Sequence, residues 1–320
     1  MMNKLLSKSF LLSAGVLLAA CSNQTVKAPV DTKAPASEET GNQETTEPKT
    51  MTDGLGNEVE IPSEPEKVLA SYLEDYLVAL NVTPVAQWSV SNGESIQDYL
   101  QEDLMDVPLI PHDLPYESVL EYEPDLLIVR DAIEQEMYEQ YAQIAPTYVL
   151  NASPTEWRAT LTEMGEVLNK EEQAEMVIES YDEKAAEEAE NIQAVAEGES
   201  AAAIWMVNNS LFVVHPERSS GAVMYNDLGL AVPTVVSELS SDADWAAISL
   251  EALAEMDVDH LFFINSDGPD AAIFEDRLWQ NIPAVQQDQV YTFGPETSWL
   301  YYGPIASEQV MDDITESITE

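Results

Sequence analysis

One cysteine, Cys21, is all the thiol this 320-residue chain contains. No disulfide can close within the chain, and no thiolate metal site can be built. Cations are also scarce: Lys and Arg number 12 against 60 Asp and Glu, for a net charge of −48. Nucleic acid and anionic membrane surfaces both need cationic patches, so neither is an expected partner. The three histidines, His112, His215 and His260, fall in separate segments. A zinc or manganese site wants about three or four clustered His and carboxylate ligands. No Ser-His-Asp arrangement stands out, and no glycine-rich loop follows a strand to cradle a phosphate. Gly54-Leu55-Gly56 precedes the first strand and reads as a turn. The chain is therefore not expected to be an enzyme, nor to hold a metal or cofactor of its own. After Ala20 no run is long and apolar enough for a transmembrane helix, which needs roughly 20 residues.

What is present begins with the signal at the amino terminus. Lys4 and Lys8 precede the apolar stretch Phe10 to Ala20, which ends Leu18-Ala19-Ala20-Cys21. A charged region, a short apolar region and small residues before a cut mark a signal peptide over 1–20. A cysteine directly after the cut resembles a bacterial lipobox, in which the thiol is acylated. Stable anchoring needs more than one acyl chain. Residues 21–52 are rich in Thr, Glu, Pro, Ala and Lys, and read as a disordered tether.

The body opens at Asp53-Gly54-Leu55-Gly56-Asn57, and short apolar runs then alternate with helical patterns. Strands are expected at Val68–Ala70, Pro84–Trp88, Leu109–Ile110, Leu126–Val129 and Thr147–Leu150. This is the alternation of a parallel sheet covered by helices, over 53–154. From 155 to 196 there is no proline, and apolar residues recur at helical spacing, with Asn169-Lys170-Glu171 as one point of interruption. That stretch is too long for a crossover and reads as a single connecting helix. Alternation resumes over 197–320, with strands expected at Ala202–Val207, Leu211–Val214, His260–Asn265 and Val290–Phe293. The halves echo one another. Glu117, Glu121, Glu123 and Asp125 precede Leu126-Leu127-Ile128-Val129, as Glu251, Glu255, Asp257 and Asp259 precede Leu261-Phe262-Phe263-Ile264, offset by 134 residues. The fold class is α/β: two Rossmann-like lobes joined by one long helix, with a cleft between them.

Several segments carry a family resemblance. Leu114-Pro115-Tyr116-Glu117 leads to Glu123-Pro124-Asp125-Leu126-Leu127-Ile128, and Leu278-Trp279-Gln280-Asn281-Ile282-Pro283-Ala284-Val285 leads to Val290-Tyr291. With the lipobox, the tether and the joining helix, these resemble the helical-backbone class of ABC-importer substrate-binding proteins, in its iron–siderophore and cobalamin branch. Trp205 through Asn209, Arg218-Ser219-Ser220-Gly221 and Ser298-Trp299-Leu300-Tyr301-Tyr302-Gly303-Pro304 are similar to the hydroxamate-siderophore receptors of Gram-positive bacteria. The resemblance implies a monomeric, lipid-anchored receptor on the outer face of the cell membrane. It would pass a ferric siderophore, unaltered, to a permease driven by a cytoplasmic ATPase. A mixed citrate–hydroxamate siderophore, cobalamin or haem are alternative ligands, and a non-transport surface lipoprotein is the alternative of a different kind.

Ligands of α/β lobes meet loops at the carboxyl ends of strands. That rule selects Trp88, His112, Arg130, Asn208 and Asn209. The resemblance adds Arg218 and the Trp299, Tyr301, Tyr302 loop. A ferric hydroxamate is bulky and mildly polar, and flat aromatic walls with a few donors suit it. Trp88, Trp205, Trp299, Tyr301 and Tyr302 are candidate walls. Arg218 is a candidate donor to the metal-bound oxygens, a role the resemblance supports. A ferric tris-catecholate, with three negative charges, fits poorly among so few cations. The resemblance also implies permease docking through one glutamate per lobe, Glu117 and Glu251. The joining helix suggests small closure on binding.

Overall fold

The computed structural model describes residues 47–130, 133–153, 155–238 and 243–319. The expected signal peptide, Cys21 and the tether up to Thr46 lie outside them. Regular structure begins before Asp53, which shortens the expected tether. β1 (Lys49–Thr52) pairs antiparallel with β2 (Glu58–Ile61), from Lys49↔Ile61 to Thr52↔Glu58. A Lys-Thr-Met-Thr run carries little hydrophobic signal; the strand is held by what it meets. Met51 packs on the core, and Lys49 Nζ donates to Asn169 Oδ1 and the Glu166 carbonyl. In the turn between them, the Asp53 carboxylate accepts from the Leu55 and Asn57 N–H groups at 3.0 and 2.7 Å.

The first lobe runs β3 (Val68–Leu69), α1 (Glu74–Ala79), β4 (Gln87–Ser89), α2 (Gln101–Leu104), β5 (Leu109–Pro111), α3 (Tyr116–Tyr122), β6 (Leu126–Val129), α4 (Gln135–Tyr141) and β7 (Thr147–Val149). β3, β6 and β7 form a parallel sheet with β6 central, and β4 and β5 form a parallel pair. Every residue of β6 is buried. A central parallel strand is covered on both faces, hence its unbroken apolar run.

The connecting segment is two helices rather than one: α5 (Trp157–Leu168) and α6 (Glu171–Ala196). Asn169 breaks the run by taking the left-handed conformation at φ 55°, which Asn tolerates well. Gly165 lets α6 pack close: a Cβ there would lie 2.8 Å from the Ala174 Cβ. α6 spans about 39 Å at 1.5 Å per residue. Its buried residues, Ala174, Tyr181, Ala185, Ile192 and Ala196, recur at steps of about one and two turns, so one narrow stripe meets the body.

The second lobe contains β8 (Ala201–Val207), β9 (Ser210–Val214), α7 (Ser219–Ala222), α8 (Thr234–Ser237), β10 (Trp245–Ile248), α9 (Leu250–Glu255), β11 (His260–Asn265), α10 (Pro283–Gln286), β12 (Val290–Phe293) and α11 (Pro304–Thr319). The strand order is β10-β9-β8-β11-β12. β8, β11 and β12 are parallel, as expected, but β9 and β10 run antiparallel. Asn208 and Asn209, at φ 52° and 55°, turn β8 back as a two-residue hairpin, the left-handed pair that such a turn requires.

The internal echo has a structural basis. The Asp125 carboxylate accepts from Glu66 and Lys67 N–H at 2.9 and 3.0 Å. Asp259 accepts from Ser200 N–H and Oγ, both at 2.8 Å. In each lobe the acid before a buried parallel strand, β6 or β11, clamps the entry to that strand's parallel neighbour.

Candidate ligand cleft

Beyond β3 the chain turns into Tyr72, at φ 65°. A bulky residue held left-handed costs about 1–3 kcal/mol and persists only where its surroundings fix it. Its ring lies 5.0 Å from Trp88 and 6.2 Å from Tyr301, and the Arg130 guanidinium sits 5.1 Å from its centroid. Tyr301 also lies 5.1 Å from the Tyr99 ring and donates to the Ile96 carbonyl at 3.0 Å. Tyr72, Trp88, Tyr99 and Arg130 belong to the first lobe and Tyr301 to the second, so the aromatic cluster spans the cleft. Beneath it Tyr72, Arg130 and Tyr302 border a pocket of about 10 Å³. A larger cavity of about 150 Å³ borders Arg158, Glu217, Ser219, Asp227 and Tyr302. Pockets enclosing drug-sized ligands reach roughly 300–1,000 Å³, so a bulkier guest would meet open ring faces.

The electrostatics are nearly balanced. Arg218 Nη1 pairs with Asp244 Oδ1 at 3.0 Å. Burial pushes the Tyr72 phenol up, with Arg130 opposing. Burial also pushes Tyr302 up, reinforced by Asp244 and opposed by Arg218. Both phenols therefore stay neutral donors. At the start of α1, two acids are fully buried. Glu74 Oε1 accepts the Trp88 N–H at 2.6 Å, while its Oε2 is buried with no hydrogen-bond partner among the described residues. Asp75 accepts from Ile305 and Ala306 N–H at 3.0 and 2.9 Å and from the Tyr99 hydroxyl at 3.0 Å. Desolvation by burial raises each carboxyl to about 7, against the hydrogen bonds that favour the charged form.

The expected site residues separate into three groups. Trp88, Arg130, Tyr301, Tyr302 and Arg218 gather at the cleft. Trp205 is half-buried on β8: its Nε1 donates to Ser266 Oγ at 2.9 Å, and its ring lies 5.6 Å from Phe212 and 6.0 Å from Trp245. Trp299 is a correction. It is 0% exposed, it stacks between Phe262 at 5.1 Å and Phe293 at 4.9 Å, and its Nε1 donates to Asp313. It is core and offers no face to a ligand. Asn208 is an exposed turn residue whose N–H is taken by Asp267 at 2.7 Å, so hairpin geometry accounts for it. His112 is exposed at the end of β5, its N–H on the Ser89 carbonyl. Glu117 and Glu251 are both exposed, and each is the second residue of its helix, α3 or α9.

Tyr72, Tyr99, Asp244 and the Glu74–Asp75 pair were not expected. The strand-end rule that selects Trp88 also reaches Tyr72, just beyond β3. The paired acids had no such signal, because acids in a first helical turn are ordinary. Among the described residues no group of three or more His, Cys, Asp or Glu could hold a metal ion, and no helix is long and apolar enough to cross a membrane.

Comparison with known proteins agrees with this architecture. The chain is 27% identical over 311 residues to the iron(3+)-hydroxamate-binding protein FhuD of Bacillus subtilis, covering 95% of this chain and 94% of that one. It is 24% identical to the probable siderophore-binding lipoprotein YfiY of the same organism, covering 87% and 91%. Among solved structures, a FhuD fold-family periplasmic binding protein from Bacillus subtilis, a component of a Fep/Fec-like ferrichrome ABC transporter, superposes with a TM-score of 0.71. It is 23% identical, and the match covers 84% of this chain and 100% of that one. Residues 70–297 match the periplasmic binding protein family, and the chain belongs to that family of substrate-binding transport proteins, not to the enzymes.

Proposed function

We propose that the protein is the extracytoplasmic receptor of an ABC importer for a ferric siderophore of the hydroxamate type. Its relatives are named for several ferric siderophores, hydroxamates among them but also enterobactin and citrate, so the choice of ligand rests on one observation in the cleft. Aromatic faces from both lobes meet around two guanidiniums, one of which, Arg218, is already paired with Asp244. Such a surface suits an uncharged or weakly charged organic cage. A trianionic complex would need several unbalanced cations within a few ångströms. The siderophore itself holds the iron, and no side chain of the protein is a ligand to it. Trp88, Tyr301 and Tyr302 form the walls, with Trp205 and His112 as further contacts, and Arg218 and Arg130 donate to ligand oxygens. Cys21 carries the lipid anchor, and Glu117 and Glu251 dock the monomer on the permease. Titration of intrinsic Trp fluorescence tests the ligand. A ferric trihydroxamate should quench saturably below micromolar concentration, while a ferric tris-catecholate should not. The reverse order of preference would overturn the hydroxamate reading.

A further inference from the structure

We infer that Asp75 is the positioning residue that holds the two aromatic walls of the cleft in register, by capping a helix that belongs to the opposite lobe. The inference rests on the reading of this cleft as the ligand site. Asp75 lies in the first turn of α1, three residues after Tyr72 and directly after Glu74, whose carboxylate holds the Trp88 N–H. Its oxygens are not spent on its own helix. They accept the Ile305 and Ala306 N–H groups, at 3.0 and 2.9 Å, in the first turn of α11.

Those donors point along the α11 axis toward the carboxylate, where the helix field favours negative charge. Tyr301 and Tyr302, the walls of the second lobe, precede α11 by only a few residues. One short path of covalent and hydrogen bonds therefore runs from Tyr72 through Asp75 and Ile305 to Tyr302. A second line of evidence is Gly303, at φ 136°: a Cβ there would lie 2.1 Å from Asp75 Oδ1. The loop can close onto the carboxylate only with glycine at this position. Tyr99 completes the arrangement. Its hydroxyl donates to Asp75 Oδ2 at 3.0 Å while its ring lies 5.1 Å from Tyr301, so the side chain that steadies the carboxylate also backs the wall.

The test is Asp75→Asn. The amide keeps the shape but has one acceptor in place of two, so one α11 N–H must face an NH₂ group. Three readouts are expected to move together. Amide exchange in peptides spanning Ile305–Ala306 should rise at least tenfold. The ligand-free radius of gyration should increase and become responsive to ligand. Kd for a ferric trihydroxamate should weaken about tenfold, equivalent to about 1.4 kcal/mol, mainly through a faster off-rate. Tyr99→Phe removes one donor to the same carboxylate and should move all three in the same direction by less; it also decides the matter if Asp75→Asn does not fold. A purely supporting role would lower the melting temperature and leave exchange at 305–306, radius and Kd unchanged, and that result overturns the inference. If the ferric trihydroxamate fails to bind the unaltered protein, the hydroxamate reading falls. The exchange and scattering of the ligand-free protein then decide the role of Asp75 alone.

Discussion

Replacing Glu74 with Gln separates the charge of a buried carboxylate from its hydrogen bond. Glu74 Oε1 accepts the Trp88 N–H, and its second oxygen is buried without a partner among the described residues. Desolvation raises its folded-state carboxyl to about 7, against 4.5 for the free group. In this pH interval the folded protein binds more protons than the unfolded chain. Stability is therefore greatest below about pH 4.5 and falls as pH rises through 7. At 1.36 kcal/mol per unit, the loss reaches about 3 kcal/mol by pH 8–9. Glutamine keeps the acceptor for Trp88 and removes the charge, at the cost of an unpartnered amide worth about 1–3 kcal/mol. The variant should thus match or fall below the parent at pH 5, and gain on it by about 3 kcal/mol between pH 5 and pH 9. Urea denaturation at the two pH values measures this. The whole-protein acid excess acts on both proteins equally and cancels in the difference. An equal offset at both pH values would show that Glu74 is not protonated in the folded protein, and would refute the reasoning.

Two further substitutions divide the tryptophans. Trp299→Ala empties a fully buried site and should cost about 3–5 kcal/mol in denaturation. Trp88→Ala should cost less stability, weaken ferric trihydroxamate binding at least tenfold and remove much of the fluorescence quench; equal behaviour of the two variants would undo the division into core and wall. Reversing charge at both Glu117 and Glu251 to Arg should abolish cellular uptake while leaving Kd for the ligand unchanged, as radiolabelled iron uptake and titration would show; uptake at the parent rate would exclude docking through these residues.

The architecture was legible where burial leaves a pattern. Leu126–Val129 and His260–Asn265 fall at the expected bounds, because parallel strands buried on both faces write apolar runs between turn signals; the half-exposed edge strand Val290–Phe293 does so as well. β1 writes no such run, since Lys49–Thr52 is mostly polar, and β10 is an edge strand, Trp245–Ile248, whose two alanines carry a weak apolar signal. Site residues were harder to read because side-chain type does not report depth. Trp88 and Trp299 are the same residue type and both are candidate walls by sequence, and only the placement of Phe262 and Phe293 around Trp299 decides between them. Asn208-Asn209 is selected by its place at the end of a strand, although the tolerance of Asn for a left-handed backbone is the more physical signal there. Asp75 illustrates the deepest limit, since its partners lie some 230 residues away.

Small closure on ligand binding was expected from the joining helix, but the structure places the resistance elsewhere. A lone helix such as α6 does not lock two lobes; what matters is how many buried bonds an opening motion must break. Lys184 on α6 pairs with Glu308 and Asp312 on α11, but these acids are half-exposed, and such pairs contribute about 0–1 kcal/mol. The Asp75 bonds to α11 and the Tyr181 hydroxyl on Asp227 at 2.8 Å are better shielded. Above about pH 7, where the Asp75 carboxyl is charged, hydrogen bonds to charged groups contribute about 1.5–3 kcal/mol each. Losing two of them sets opening at about 3–6 kcal/mol, which leaves at most about 1% of molecules open. The ligand then enters a cleft that is already formed, and scattering curves with and without it should nearly coincide. A change in radius of gyration of several per cent would mean that these bonds break in the free protein.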